Sequence, residues 1–360
     1  MNLFVPDNFT NPEIKFTSVV GDARRELAEI FRKFFPAGEV QSIEELHGAN
    51  INSQNYKITA VVDGEVRNYL LRRSQFLKDR SAVEFYFGVV EKLHSAGVPT
   101  SSAIMRGGQR SLQTTEALYL LFNFVEGAHF SPTLASYENI AAAVARMHLA
   151  FNALPPKIVD TVSEMSQKHL GAYFNVVRDY SAADFDDLEE RLKASRDSDG
   201  DFILEQLPLV RAAANAADKS RPFFSDLHQQ IVHSDLHPHN VLINNFTVSA
   251  ILDFDSLRRS ERGRDVAMCL YRFGRQFFVA GENPSKAPAL AQKFLTAYGA
   301  VNSLSDREVE LMPALLTDEF VRKLLFVLKG VYLDHNHAWA KDLPKFFAAL
   351  QEIKFFWPSK

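Results

Sequence analysis

Residues 231–255 constrain this chain more than any other stretch. Two apolar runs, 241–243 and 248–252, flank the polar pair Asn244-Asn245, and that pattern predicts a tight β-hairpin. His233, Asp235 and Asn240 precede the hairpin, and Asp253-Phe254-Asp255 follows it. Thirteen positions separate Asn240 from Asp253, a gap that a short hairpin closes. The expected result is a rigid scaffold with Asp235 and Asn240 at one end and Asp253 returned beside them. Carboxylates and an amide gathered in this way suit proton handling and the binding of a hard cation.

Phosphoryl transfer uses such a set: one carboxylate orients or deprotonates the attacking hydroxyl, while an Asp and an Asn hold Mg²⁺ against the triphosphate. The spacing His233-x-Asp235, Asn240 five residues on, then Asp253, resembles the catalytic loop of the protein-kinase-like fold. The wording from His233 to Ile243, followed by Ile251-Leu252-Asp253-Phe254-Asp255, is similar to the aminoglycoside phosphotransferase and choline kinase family. Asp255 stands where protein kinases have the Gly of Asp-Phe-Gly. Arg264-Asp265-Val266-Ala267 matches the start of a helix in that family.

The resemblance implies an α+β protein with two lobes. Residues 1–117 would form a nucleotide-binding lobe with a five-stranded antiparallel sheet, and 118–127 a hinge. Residues 128–360 would form a mostly helical lobe carrying an acceptor-specific insertion at 155–230. It implies ATP and Mg²⁺ as cofactors and a small hydroxylated molecule as acceptor. Asp235 would be the base, and Asn240 and Asp253 the metal ligands. His233 and Asp265 would support the loop, Asp265 by accepting backbone hydrogen bonds.

The first half of the chain supplies the remaining expectations. Residues 22–35 carry apolar Leu27, Ile30, Phe31 and Phe34, a helical stripe ended by Pro36. Strand-like runs follow at 40–46, 56–62 and 66–71, with Asp63-Gly64 marking a hairpin turn. The turn at 48–53 is where the family sets backbone amides against phosphate oxygens, which makes Gly48, Asn50 and Asn52 candidates. Strand alternation puts Leu70 and Arg72 on one face and Leu71 and Arg73 on the other. The family resemblance implies a phosphate-gripping cation on this strand, taken here as Arg72, with Glu84 its partner from the next helix and Glu91 second, and Leu70 as an adenine contact. A solvated edge Arg and an exposed helical Glu are the plain alternatives. The apolar run 118–125, with Phe122 and Phe124, resembles the adenine-contacting hinge, although a buried strand ending in a turn reads the same way. His148, near the end of an Ala-rich helix at 136–154, is expected to be structural. Residues 1–20 show weak periodicity and read as an extended leader. After the catalytic hairpin, helices are expected to be joined by turns at 299–305, 329–330 and 343–344.

Composition sets the outer bounds. The 360 residues suffice for two lobes, and 46% hydrophobic with 23% charged residues is ordinary for a globular chain. A net charge of −4 gives no argument for a basic patch that would bind nucleic acid. The single cysteine, Cys269, excludes an intrachain disulfide and fits a cytoplasmic protein. No apolar run approaches the ~18 residues of a membrane helix.

Two other classes compete. Ser234-Asp235-Leu236-His237 is similar to the first metal motif of calcineurin-like phosphoesterases, but the later Gly-Asn-His and Gly-His-x-His elements of that class are missing. A nucleotide-binding pseudokinase would lack one of Asp235, Asn240 and Asp253, and all three are present. The acceptor is less legible. Residues 295–313 and 329–332 are loosely similar to N-acetylhexosamine 1-kinases, which favours a sugar or amino sugar. Tyr332, Trp339, Phe355, Phe356 and Trp357 would instead suit a choline or ethanolamine cage; homoserine and aminoglycosides are further options.

Overall fold

The computed structural model describes residues 3–7, 15–47, 53–74, 79–178, 180, 182–195, 198–332, 340 and 343–358. The chain forms two compact units. One comprises Asn8–Ser131 and Pro238–Asp255, the other Met1–Asp7, Pro132–His237 and Ser256–Lys360.

The first unit opens with β1 (Lys15–Ser18), α1 (Gly21–Phe34), β2 (Glu39–His47), β3 (Ser53–Val62) and β4 (Glu65–Ser74). It continues with α2 (Arg80–Ser95), β5 (Ser111–Gln113), β6 (Leu118–Asn123) and β7 (Ala128–His129). The sheet has order β1-β2-β3-β4-β6-β5 and is antiparallel throughout. It has six strands where five were expected, because part of the supposed leader pairs with β2. Lys15–Ser18 is exposed at every position, so no buried apolar alternation marks it. Leu27, Ile30, Phe31 and Phe34 of α1 pack onto Ile43, Tyr56, Ile58, Tyr69 and Leu71. That packing fixes which face of β4 is core and leaves Leu70 and Arg72 on the other. Asp79 caps α2 by accepting the Ser81 N–H at 2.9 Å.

The second unit holds α3 (Leu134–Asn152), α4 (Pro156–Arg178), α5 (Ala182–Ser195), α6 (Ser198–Ser220) and β8 (Gln229–Val232). The chain crosses to the first unit for β9 (Val241–Asn244) and β10 (Thr247–Ile251). It then returns for β11 (Arg258–Glu261), α7 (Arg262–Val279), α8 (Ala287–Gly299), α9 (Asp306–Tyr332) and α10 (Leu343–Phe356). β8 and β11 pair antiparallel, Arg258 opposite Val232. α7 is buried along almost its whole length and carries Cys269 at 0% exposure. α9 runs through 329–330, so the turn expected there is absent: Lys329-Gly330 sits one turn before the helix end, where a Gly is tolerated. No helix among the described residues is long and apolar enough to cross a membrane.

Ion pairs run through this helical unit. Arg264 meets Glu261 at 2.9 Å and Asp318 at 2.8 Å, and Arg258 meets Glu319 at 2.8 Å. Burial opposes the charge on Glu261, but Arg264 and the Ser260 hydroxyl outweigh it and hold that carboxyl down at about 2. Asp318 and Glu319 are likewise held below the ordinary carboxylate range, burial being outweighed by Arg264 and Arg258 respectively.

Candidate active site

The expected hairpin forms from β9 and β10, with Thr247 opposite Asn244. Its two turn residues are Asn245 and Phe246, with φ of 48° and 63°, the left-handed pair of a type I′ turn. Ile251 pairs with Val241, and the next amide, Leu252 N–H, donates to Asn240 O at 2.9 Å. The ladder therefore ends by joining Asn240 to the residue before Asp253. β9 also pairs with β7, Ala128 opposite Ile243, and Ile251 N–H donates to Pro99 O at 2.7 Å. These bonds attach the hairpin to the sheet unit, so residues 238–255 belong with that unit and not with the helical lobe expected for 128–360.

Within the sheet unit, a cavity of about 320 Å³ lies against this hairpin. Leu70, Phe87, Val90, Phe122, Leu242 and Ile251 give it an apolar part, and Arg72, Asn240 and Asp253 a polar one. Leu70 lies directly opposite Phe122 in the sheet. Phe124 and Asn123 line the same cavity, but their backbone is partly engaged: Phe124 N–H donates to Asn68 O, and Asn123 O accepts from the Ser101 hydroxyl. Gly48, Asn50 and Asn52 lie outside the described residues, so the phosphate turn is not part of this geometry.

Arg72 is 9% exposed. Its Nη2 donates to Asp255 Oδ2 at 2.8 Å and to Asp253 Oδ1 at 3.2 Å. Burial works against the guanidinium charge, and Asp255, then Asp253, raise its pKa regardless. The phenol of Tyr86, buried and facing the charge of Asp255, is pushed up to about 12.

Arg72 and Glu84, expected to pair when nucleotide is bound, have other partners in this structure. Glu84 accepts the N–H groups of Arg110 and Ser111 at 2.9 Å and 2.8 Å, and the Ser111 hydroxyl at 2.6 Å. Those donors hold its carboxyl below the usual range despite burial. Glu91, the second choice, pairs with Arg110. Residues 106–111 fold back over α2 and saturate both carboxylates locally, and nothing in the spacing of the sequence announces that loop. Arg73 faces the opposite side of β4 and donates to Gln54 at 3.3 Å.

The helical unit holds the other half of the motif. Asp265, in the first turn of α7, accepts His233 N–H at 2.7 Å and Ser234 N–H at 2.8 Å. His148 Nε2 meets the same carboxylate at 3.2 Å, and its Nδ1 lies 2.8 Å from the Tyr298 hydroxyl. Burial raises the Asp265 pKa, but His148 and His233 bring it below the ordinary range. This clamp holds Ser234 at φ 70°, a conformation that costs free energy in a residue with a Cβ. Asp235 Oδ2 lies 3.2 Å from His237 Nε2, and the side chain is 39% exposed. Partial burial opposes its ionisation, yet His237, Lys323 and His233 hold its pKa well down. Asp235 is thus held as an ionised carboxylate.

Asp253 has φ 64°, so it too sits on strained backbone. Asn240 and Asp253 offer hard oxygen donors within one cavity, the small protein contribution that suits Mg²⁺ when phosphates supply further ligands. The contact of Asp255 with Arg72 is not among the expectations from the sequence, where an acid two residues after Asp253 is its one visible signal.

An antiparallel sheet unit and a helical unit, in a chain carrying the His233–Asp255 motif, define a protein-kinase-like phosphotransferase. The phosphotransferase enzyme family model matches residues 42–309, and the chain belongs to that family of small-molecule kinases. A spectinomycin phosphotransferase bound to ADP and spectinomycin shares the fold with TM-score 0.60, at 14% identity and over 93% of this chain and 97% of that one. A microcompartment-associated aminopropanol kinase does so with TM-score 0.58, at 16% identity and over 91% and 95%. By sequence, the chain is 26% identical to a homoserine kinase of Brucella ovis over 72% of this chain and 75% of that protein. It is also 26% identical to a homoserine kinase of Bradyrhizobium sp., over 86% and 85%.

Proposed function

We propose that the chain transfers the γ-phosphoryl group of ATP, with Mg²⁺, to the hydroxyl of a small amino-acid-like or amino-sugar metabolite. One observation carries the reading: a single cavity runs from an apolar part at Leu70, Phe87 and Phe122 to Arg72, Asn240 and Asp253, as a purine joined to a polyphosphate requires. The apolar side chains take the base, and Arg72 takes phosphate oxygens. Asn240 and Asp253 would hold Mg²⁺, which when bound neutralises charge on the phosphates. Asp235 orients the acceptor hydroxyl and receives its proton as the oxygen bonds to phosphorus and the bond to ADP breaks. Asp265 keeps the loop bearing Asp235 in its strained form.

One observation bears on the acceptor. The matched homoserine kinases are, by name, enzymes of a hydroxylated amino acid. Homoserine therefore leads, with N-acetylhexosamines next on the loose likeness of residues 295–313. A coupled ADP-release assay with Mg-ATP over homoserine, N-acetylhexosamines, aminopropanol, choline, ethanolamine and aminoglycosides tests both levels. Acceptor-dependent ADP release supports the kinase reading, and the preferred acceptor decides the substrate. Failure to bind Mg-ATP in calorimetry overturns the reading altogether.

A further inference from the structure

The cation on β4 has lost its helix partner: Glu84 is saturated by Arg110 and Ser111. A buried guanidinium without a carboxylate is costly, and here the carboxylates come from the segment that leaves the hairpin. One nitrogen of Arg72, Nη2, gives its two hydrogens to Asp255 and Asp253. Among the described residues, Nε and Nη1 make no hydrogen bond with the protein, which leaves three N–H donors of the planar fork for a ligand. The two aspartates are not equivalent. Asp255 is nearer, at 2.8 Å against 3.2 Å, and less exposed, at 14% against 22%. Asp253 also has a second demand on it, since it is the carboxylate assigned to the metal.

We infer that Asp255 is the positioning residue for Arg72: it anchors Nη2 so that the rest of the guanidinium meets the triphosphate while Asp253 turns to Mg²⁺. This rests on the kinase reading above. Asp255 thereby takes the place that a helix glutamate holds in a lysine-based kinase, and the choice of Arg follows from it. An arginine can bind its anchor with one nitrogen and a phosphate with the others, whereas a lysine presents one ammonium to both. The arrangement also places anchor and metal ligand two residues apart on one rigid turn, so that nucleotide grip and metal site are set together.

A mutant cycle tests this. Asp255→Asn, Arg72→Met and the double variant are compared by Mg-ATP calorimetry and by KM and kcat, with Asp253→Asn as the metal-ligand reference. The expected result is that Asp255→Asn weakens Mg-ATP binding about ten-fold, with a smaller change in kcat. In the Arg72→Met background the same change should matter less than about two-fold. The free Mg²⁺ giving half-maximal rate should move less than about two-fold for Asp255→Asn and more than about ten-fold for Asp253→Asn. Asp255→Glu, which keeps the charge, should recover part of the affinity and supplies the comparison if Asp255→Asn folds poorly. Unchanged or tighter Mg-ATP binding by Asp255→Asn, additive effects with Arg72→Met, or a metal requirement raised as far as in Asp253→Asn each overturns the assignment. A wild-type protein that binds no adenine nucleotide overturns the kinase reading and this inference together.

Discussion

The carboxylate of Asp265 accepts the backbone N–H of His233 at 2.7 Å, across 32 residues of sequence. Its other oxygen takes the Ser234 N–H, and His148 completes the shell. Asp265→Ala would leave buried donors without an acceptor, at a cost of about 3 kcal/mol or more. Asp265→Asn keeps one acceptor oxygen but turns an N–H₂ toward a donor. Thermal unfolding should show a large loss for Ala and a smaller one for Asn, and kcat should fall about ten-fold or more for Asn with KM for ATP nearly unchanged. A fall in ATP affinity as large as that in kcat would mean that Asp265 does not act through the loop of Asp235.

Asp235 and Asp253 should separate by function. If Asp253 holds the metal as proposed, Asp253→Ala should weaken Mg-ATP binding and abolish turnover. Asp235→Asn keeps the shape but cannot take the proton, so Mg-ATP should still bind within a few-fold. Its transfer rate should drop by roughly two to four orders of magnitude. Calorimetry beside a turnover assay decides it; equal loss of Mg-ATP binding in both variants would make Asp235 a metal ligand.

The two neighbouring arginines of β4 should differ as sharply. Arg72 lines the cavity beside the hairpin, and Arg73 donates to Gln54 on the other face. Arg72→Ala should raise KM for ATP by about ten-fold or more, and Arg73→Ala by far less. Glu84→Gln should resemble Arg73→Ala in kinetics while lowering the unfolding midpoint, since Glu84 ties α2 to Arg110 and Ser111. A nucleotide defect in Glu84→Gln matching that of Arg72→Ala would restore the pairing that the structure does not show.

Much of this site was legible because its signals are local. The apolar runs around Asn244-Asn245 fix the hairpin, and period-two alternation alone puts Leu70 and Arg72 on one face. What could not be read depends on distant or backbone-only pairing. Lys15–Ser18 joins the sheet with every side chain exposed, so no pattern marks it. Glu84 is claimed by a loop some 26 residues away, and Asp255 reaches an arginine 183 residues distant. The turn one residue off, at Asn245-Phe246 rather than Asn244-Asn245, shows the same limit: register is set by the β7 pairing as well as by turn residues.

Acid should unfold the helical unit through Glu261, Asp318 and Glu319. All three carboxyls are held below their ordinary values in the folded chain, Glu261 at about 2. The unfolded chain therefore binds protons first as pH falls, so stability rises with pH across this window. The contribution is complete above about pH 4.5 and is lost progressively toward pH 2. Urea midpoints should be similar at pH 7 and 5 and drop steeply below 4.5, with Glu261→Gln showing a shallower drop. Midpoints that stay level from pH 4.5 to 2.5 would contradict this.

Burial of Cys269 in α7 gives the protein a built-in clock. Its thiol is fully enclosed, and that enclosure pushes its pKa well above the free value, so a maleimide should find no reactive sulfur on the folded chain. Labelling must wait until α7 opens, and its rate then counts those openings directly. Because this is the only cysteine in the sequence, each labelled molecule records one event at one place. Nucleotide or acceptor that tightens the helical unit should slow the clock, which makes ligand binding measurable without any assay of turnover.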